Sequence, residues 1–194
     1  FSLVSGTDSA DNASFEVYGS NLKIKVSANF EAKNTYAIRV RTTDDGSPPA
    51  FYEEAFTVSI TNVNEAPTLA AVSVNGFEDS TLAFTSVNFT GSFTDPENDA
   101  FSSITVATLP ATGALKLAGT DVTASQVISA ANLPNLTYVP ALHENGPKTF
   151  TVTATDGTFT TSAVTVTMNL TAVNDAPSFA VASEPAGVTW TARE

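Results

Sequence analysis

The chain has 194 residues, 42% of them hydrophobic and 13 of them Phe, which is enough apolar surface for packed cores and excludes a disordered polymer. Acidic residues number 20 against 8 basic, and the net charge of −12 argues against nucleic-acid binding and against anionic membranes. With no cysteine there is no disulfide, thiolate site or Cys nucleophile, and no apolar run approaches the ~20 residues of a bilayer span.

The elements read as strands in chain order. Leu22, Ile24 and Val26 alternate with Lys23 and Lys25, and Tyr36, Ile38 and Val40 with Ala37, Arg39 and Arg41. Near the far end, Phe150, Val152 and Ala154 oppose Thr149, Thr151, Thr153 and Thr155. Val164, Val166, Met168 and Leu170 oppose Thr165, Thr167, Asn169 and Thr171. No segment carries an apolar helical stripe over three turns. Short strands rich in Thr and Val, punctuated by Gly, Pro, Asn and Asp, predict an all-β sandwich.

The chain repeats. Phe56-Thr-Val-Ser-Ile-Thr-Asn-Val-Asn-Glu-Ala-Pro67 returns about 110 residues later as Val166-Thr-Met-Asn-Leu-Thr-Ala-Val-Asn-Asp-Ala-Pro177. Upstream of each copy an alternating strand ends in Asp-Gly, at Asp45-Gly46 and at Asp156-Gly157. Ahead of those strands stand Glu31 and Glu144. This period suits a sandwich domain of about seven strands. The reading divides the chain into residues 1–66, an N-terminally truncated domain, residues 67–177, a complete one, and residues 178–194, the start of a following repeat or a docking strand. By alignment of Asn21-Leu22 with Asp121-Val122, the first domain lacks roughly its first thirty residues. Its apolar faces and sheet edges then need a cover.

These residues resemble the cadherin family, in the form found in tandem repeats of large bacterial surface adhesins. Asn29-Phe30-Glu31 is similar to the family's Asp-Arg-Glu element. Val40-Arg-Thr-Thr-Asp44-Asp45-Gly46-Ser-Pro48-Pro49 is similar to its Val-x-Ala-x-Asp-x-Gly-x-Pro segment, and Asn62-Val-Asn64-Glu65-Ala-Pro67 to its linker. The second repeat resembles the related bacterial modules through Phe77-Glu78-Asp79, Phe93-Thr-Asp95-Pro-Glu97-Asn-Asp99, Leu136-Thr-Tyr138-Val-Pro140 and Asn174-Asp175-Ala-Pro177. The resemblance implies tandem Ig-like or cadherin-like β-sandwiches arranged end to end, with calcium at the junctions. Carried over, it implies a calcium set of Glu31, Asn62, Asn64 and Glu65 with Asp95, Glu97, Asp99 and Asp156 from the following domain. A second set at the far end would begin with Glu78, Glu144, Asn174 and Asp175. Asn62 and Asn29 stand where the family pattern has Asp, and each removes a negative charge, so weaker binding is expected.

No catalytic constellation accompanies this. His143, in Leu-His-Glu-Asn-Gly, reads as a loop residue without a nucleophile, and Asp95, Glu97 and Asp99 suit cation ligation better than glycoside chemistry. The chain is expected to be non-enzymatic and to lie outside the cell, on a bacterial surface. Its expected role is that of a structural and adhesive spacer in a long surface protein. Two alternatives are a carbohydrate-binding module using Tyr18, Phe51, Tyr52 and Tyr138, and a subunit of a strand-exchanged filament in which Trp190 anchors a docked strand. The expected partners are neighbouring repeats or identical molecules, with polysaccharide or another surface protein beyond them, and neither nucleic acid nor a membrane interior.

Overall fold

The computed structural model describes residues 1–176. Pro177 and the expected third-repeat segment 178–194, Trp190 included, lie outside the described residues. The chain divides into two compact units. The first comprises Phe1–Leu69, Phe93–Ser102 and Ala154–Ser162, and the second Ala70–Ser92, Ser103–Thr153 and the residues from Ala163.

The strands open with β1 Ser2–Leu3, β2 Phe15–Tyr18, β3 Asn21–Ile24, β4 Thr35–Thr43, β5 Phe51–Ser59 and β6 Thr68–Leu69. Then come β7 Val72–Phe77, β8 Leu82–Ala83, β9 Phe93–Thr94, β10 Ser103–Thr108 and β11 Ala114–Leu117. The last are β12 Thr120–Asp121, β13 Val127–Ser129, β14 Leu136–Val139, β15 Gly146–Thr155 and β16 Val164–Thr171. Among the described residues one short α-helix, α1 Ser86–Thr90, and two 3-10 turns, Asn12–Ser14 and Ala130–Asn135, interrupt them.

The second unit is a sandwich. Its five-stranded sheet runs β13-β10-β15-β16-β7, and its four-stranded sheet runs β12-β11-β14-β8. Alternation decides the faces: Phe150, Val152 and Ala154 of β15 are buried, as are Val166, Met168 and Leu170 of β16, while the Thr partners stay outside. Phe84 meets Phe150 edge-on at 5.8 Å and Phe89 at 5.9 Å, joining the two layers. Each such fully buried aromatic contributes about 1.5–3 kcal/mol. The last strand pair is parallel: β7 lies along β16 with Val72 opposite Val166 and Val74 opposite Met168.

The first unit has a three-stranded sheet, β1-β4-β5, a β2-β3 hairpin and the short β6-β9 pair. Phe15, Ile38 and Leu69 are buried in it, together with Ala154 at the end of β15, and Phe15 stacks edge-on against Tyr36 at 5.5 Å. Arg39 and Arg41 both hold Glu53 of the adjacent strand, at 3.0 and 2.5 Å. The expected strand through Val26 stops short. Its partner β2 begins at Phe15, which pairs with Ile24, so Val26 has nothing to pair with and is exposed.

A candidate calcium site

Three segments of the first unit bring carboxylates together. The first carries Glu31 in a turn that Asn29 holds: its side-chain carbonyl accepts from Ala32 N at 2.7 Å, and its backbone carbonyl accepts from Lys33 N at 3.0 Å. After β5, the linker supplies Glu65. Glu31, Glu65 and Glu97 each offer an oxygen, all within 4.8 Å of one another.

The loop after β9 is built to point acids inward. Asp95 Oδ1 accepts from the N–H groups of Glu97 and Asp99, both at 2.9 Å, and Asn98 adopts a left-handed φ of 63°. An Asx turn of this kind commits one oxygen to the backbone and leaves the other free. Asp156 repeats the device after β15. Its Oδ1 accepts from Thr158 N at 2.5 Å and Phe159 N at 2.7 Å, across Gly157 with φ 110°. Glu97 Oε2 accepts weakly from Glu65 N at 3.4 Å.

The other oxygens are the informative ones. Asp95 Oδ2, Glu97 Oε1 and Asp156 Oδ2 are buried without any hydrogen-bond partner. Buried carboxylate oxygens normally find a donor, because removing them from water unpaired is costly. The crowding also shows in Glu65, whose pKa is raised by its hydrogen bond to Glu97, then by burial and by the charges of Glu31, Glu97 and Asp95. The donor set is wholly oxygen. That chemistry fits a hard divalent cation, and calcium, which takes six to eight oxygens, fits best.

Of the eight expected ligands, the structure brings Glu31, Glu65 and Glu97 into one cluster and leaves Asp95 and Asp156 with orphaned oxygens in the same unit. Asp99 gives its backbone N–H to Asp95 and keeps an exposed side chain. Asn62 and Asn64 lie on the linker, exposed and half-buried, with no side-chain hydrogen bond among the described residues.

The expected second set is different. Glu78, only 2% exposed, accepts from Val173 N at 2.7 Å and Asn145 Nδ2 at 3.1 Å. Glu144, 8% exposed, accepts from Thr112 Oγ1, Tyr138 Oη at 2.7 Å and Ala141 N at 2.8 Å, with Lys148 Nζ at 3.3 Å. Burial alone would raise its pKa, but these donors outweigh burial and lower it to about 2. Both acids are therefore spent within the fold. Tyr138, expected on a sugar-binding face, is fully buried because its hydroxyl serves Glu144. Gly113 (φ 67°) lets the backbone pass, since a Cβ there would sit 2.8 Å from the Val139 carbonyl oxygen.

Asp175, expected in that second set, instead groups with Asp79 and His143, which were not among its expected ligands. His143 Nδ1 lies 2.6 Å from Asp175 Oδ2 and 3.8 Å from Asp79 Oδ2, and His143 N donates to Asp79 Oδ1 at 3.1 Å. Asp79 follows Glu78 directly, and that adjacency was its only signal in the sequence.

Residues 64–169 match the family model described as Bacterial Ig domain. The chain belongs to the bacterial Ig domain family. Members of this family are typical of extracellular surface proteins and are typically non-catalytic. No curated protein matches the chain. Among solved structures it is similar to protocadherin gamma B7 extracellular cadherin domains 1–4, with TM-score 0.51, 16% identity, and 83% of this chain aligned to 39% of that one. Protocadherin gamma B2 extracellular cadherin domains 1–5 gives TM-score 0.48 and 16% identity, over 84% of this chain and 32% of the other. Human mucin-like protocadherin EC1-2 gives 0.41 and 15%, over 82% and 79%. The chain thus spans well under half the length of the first two. The similarity to the gamma B7 structure establishes a cadherin-like, Ig-like all-β architecture of about two domains. Among the described residues no helix is long and apolar enough to cross a membrane.

Proposed function

We propose that this bacterial Ig chain is a spacer segment of a long extracellular adhesin, with repeats at 1–66 and 67–177 fastened by calcium. The supporting observation is the set of three buried, partnerless carboxylate oxygens on Asp95, Glu97 and Asp156, in the same unit as the Glu31–Glu65–Glu97 cluster. Glu31 and Glu65 belong to the first sequence repeat, whereas Asp95, Glu97 and Asp156 belong to the second. An ion held by both groups therefore ties one repeat to the next. Glu31, Glu65, Asp95, Glu97 and Asp156 supply carboxylates, Asn62 and Asn64 supply carbonyl oxygens, and Asp99 adds negative field. The ion removes the mutual repulsion of the acids and stiffens the chain, which suits a rod that holds distal elements away from a cell. Extracellular modules of this class bind at about 10⁻⁴–10⁻³ M.

Small-angle scattering and thermal melts, run with calcium and then with excess chelator, test this reading. A more extended, stiffer particle that also melts higher in calcium is expected. Identical scattering and melting in both conditions would sink it.

A further inference from the structure

We propose that Asn145 is a site of spontaneous deamidation, and that losing its amide unfastens the start of the segment after β16. The inference is independent of ion binding. A backbone nitrogen can close a five-membered ring on the side-chain amide of the Asn before it. Closure is fastest where the nitrogen belongs to Gly, which has no Cβ in the way. The chain has two such pairs, Asn75-Gly76 and Asn145-Gly146.

The fold treats the two pairs differently. Asn75 lies inside β7, opposite Asn169, whose Nδ2 donates to Asn75 Oδ1 at 3.1 Å. Gly76 is opposite Leu170 and so closely packed that a Cβ there would sit 2.9 Å from Leu82 Cδ1. Ring closure at this pair needs β7 to leave the sheet. Asn145, by contrast, is exposed and stands between the turn at His143 (φ 56°) and the first residue of β15. Gly146 is the terminal rung of that strand, opposite Leu170, with φ 80° and open space around its Cβ position. Strand ends open at far lower free energy than strand interiors, so Asn145 reaches the reactive geometry more often.

The step balances with water as its co-reactant. The Gly146 nitrogen loses its proton and bonds to Asn145 Cγ. The Cγ–Nδ2 bond breaks, and Nδ2 leaves with that proton as ammonia. Water then opens the ring at either carbonyl, leaving a carboxylate on an aspartyl or an isoaspartyl linkage. Nothing is oxidised or reduced.

What disappears is a particular donor. Asn145 Nδ2 donates to Glu78 Oε2 at 3.1 Å, and Glu78 is only 2% exposed. The other Glu78 oxygen accepts from Val173 N at 2.7 Å, two residues past the end of β16. A carboxylate at position 145 donates nothing and repels Glu78. Glu78 then holds Val173 less firmly. Because deamidation runs one way, the loosening accumulates with the age of the chain.

Peptide mapping by mass spectrometry of the full chain, held folded in mildly alkaline buffer, tests the chemistry. Asn145 is expected to convert at least about tenfold faster than Asn75, and the two rates should converge in denaturant. An Asn145 that does not convert, or converts no faster than Asn75, overturns the proposal. Thermal melts and amide exchange test the consequence. Asn145→Asp is expected to melt about 4 °C or more below the parent, with faster exchange at the Val173 amide. Asn145→Gln keeps a donor amide and closes its larger ring far more slowly, so the aged variant should melt like the fresh one. An Asn145→Asp chain that melts and exchanges like the parent overturns the unfastening, as does equal ageing loss in the parent and Asn145→Gln.

Discussion

Glu31 and Glu144 stand at equivalent points of the two repeats, each ahead of a long alternating strand, yet they meet opposite fates. Glu144 is buried against Thr112, Tyr138, Ala141 and Lys148, with both oxygens satisfied. Glu31 is exposed and faces Glu65 and Glu97, two groups of its own sign. In one place the fold supplies the donors, and in the other it supplies only acceptors. The difference lies in the neighbours. Leu136-Thr-Tyr138 delivers a hydroxyl to Glu144, whereas Glu31 meets the carboxylates of Glu65 and Glu97, with the charge of Asp95 also acting on Glu65. A fully satisfied acid stabilises its unit directly, and a set of unsatisfied acids makes stability conditional on a cation.

The widest gap between the two should come from removing the acids. With chelator present, Glu144→Ala is expected to cost about 3 kcal/mol, because it removes the shared acceptor of the Thr112 hydroxyl, the Tyr138 hydroxyl and the Ala141 N–H, strips Lys148 of its partner, and leaves the buried Tyr138 hydroxyl only the Thr112 carbonyl. Glu31→Ala should change stability by less than about 0.5 kcal/mol under the same conditions. Denaturant titration of both variants measures this, and equal losses would erase the distinction. Acid probes the same contrast. The Glu144 pKa is lowered from 4.5 to about 2 in the folded state, so its contribution is fully present above pH 4.5 and is lost as pH falls towards 2. In Glu144→Gln that part of the acid sensitivity between pH 4.5 and 2 should vanish.

Calcium should act on the other region alone. At ten to a hundred times the dissociation constant, an ion bound only to the folded state adds about 1.4–2.7 kcal/mol. Melting in calcium against chelator reads this, and Glu97→Gln should reduce the gain while Glu144→Gln leaves it intact. A smaller and opposite effect is expected without the ion. Asp95→Asn keeps the acceptor oxygen of the turn and removes one charge from the cluster, so in chelator it should match or exceed the parent by up to about 1 kcal/mol. In calcium the order should reverse.

Much of this was legible in the sequence, for identifiable reasons. β15 and β16 follow from strict alternation of Thr with apolar residues, which only a half-buried strand satisfies. The acids of the first cluster were legible because they fall in Pro- and Asn-rich loops beside the repeated linker. What composition and spacing do not encode is whether an acid finds donors. Glu78 and Glu144 look like Glu31 in one dimension, and only the folded chain brings Asn145, Val173, Thr112 and Tyr138 to them. The inward place of Tyr138 was readable from its alternation in Leu136-Thr-Tyr138-Val, since Leu136 and Tyr138 share the buried face. The early stop of β3 was not, because it depends on where its partner begins.

The smallest effect expected is the pH signature of Glu65, and its sign separates the two regions most cleanly. Its folded-state pKa lies above the ordinary 4.5, chiefly because Glu97 shares a hydrogen bond with it, with burial and the charges of Glu31, Glu97 and Asp95 adding to the effect. In the window between the ordinary value and the raised one, the folded chain holds more protons than the unfolded chain. Stability in chelator should therefore fall as pH rises through that window, the reverse of the Glu144 contribution. Calcium prefers the deprotonated cluster, so its affinity should weaken as pH drops through the same window. Isothermal titration of calcium on both sides of the window, with and without Glu65→Gln, measures the coupling. An affinity independent of pH in the parent chain would mean that Glu65 takes no part in holding the ion.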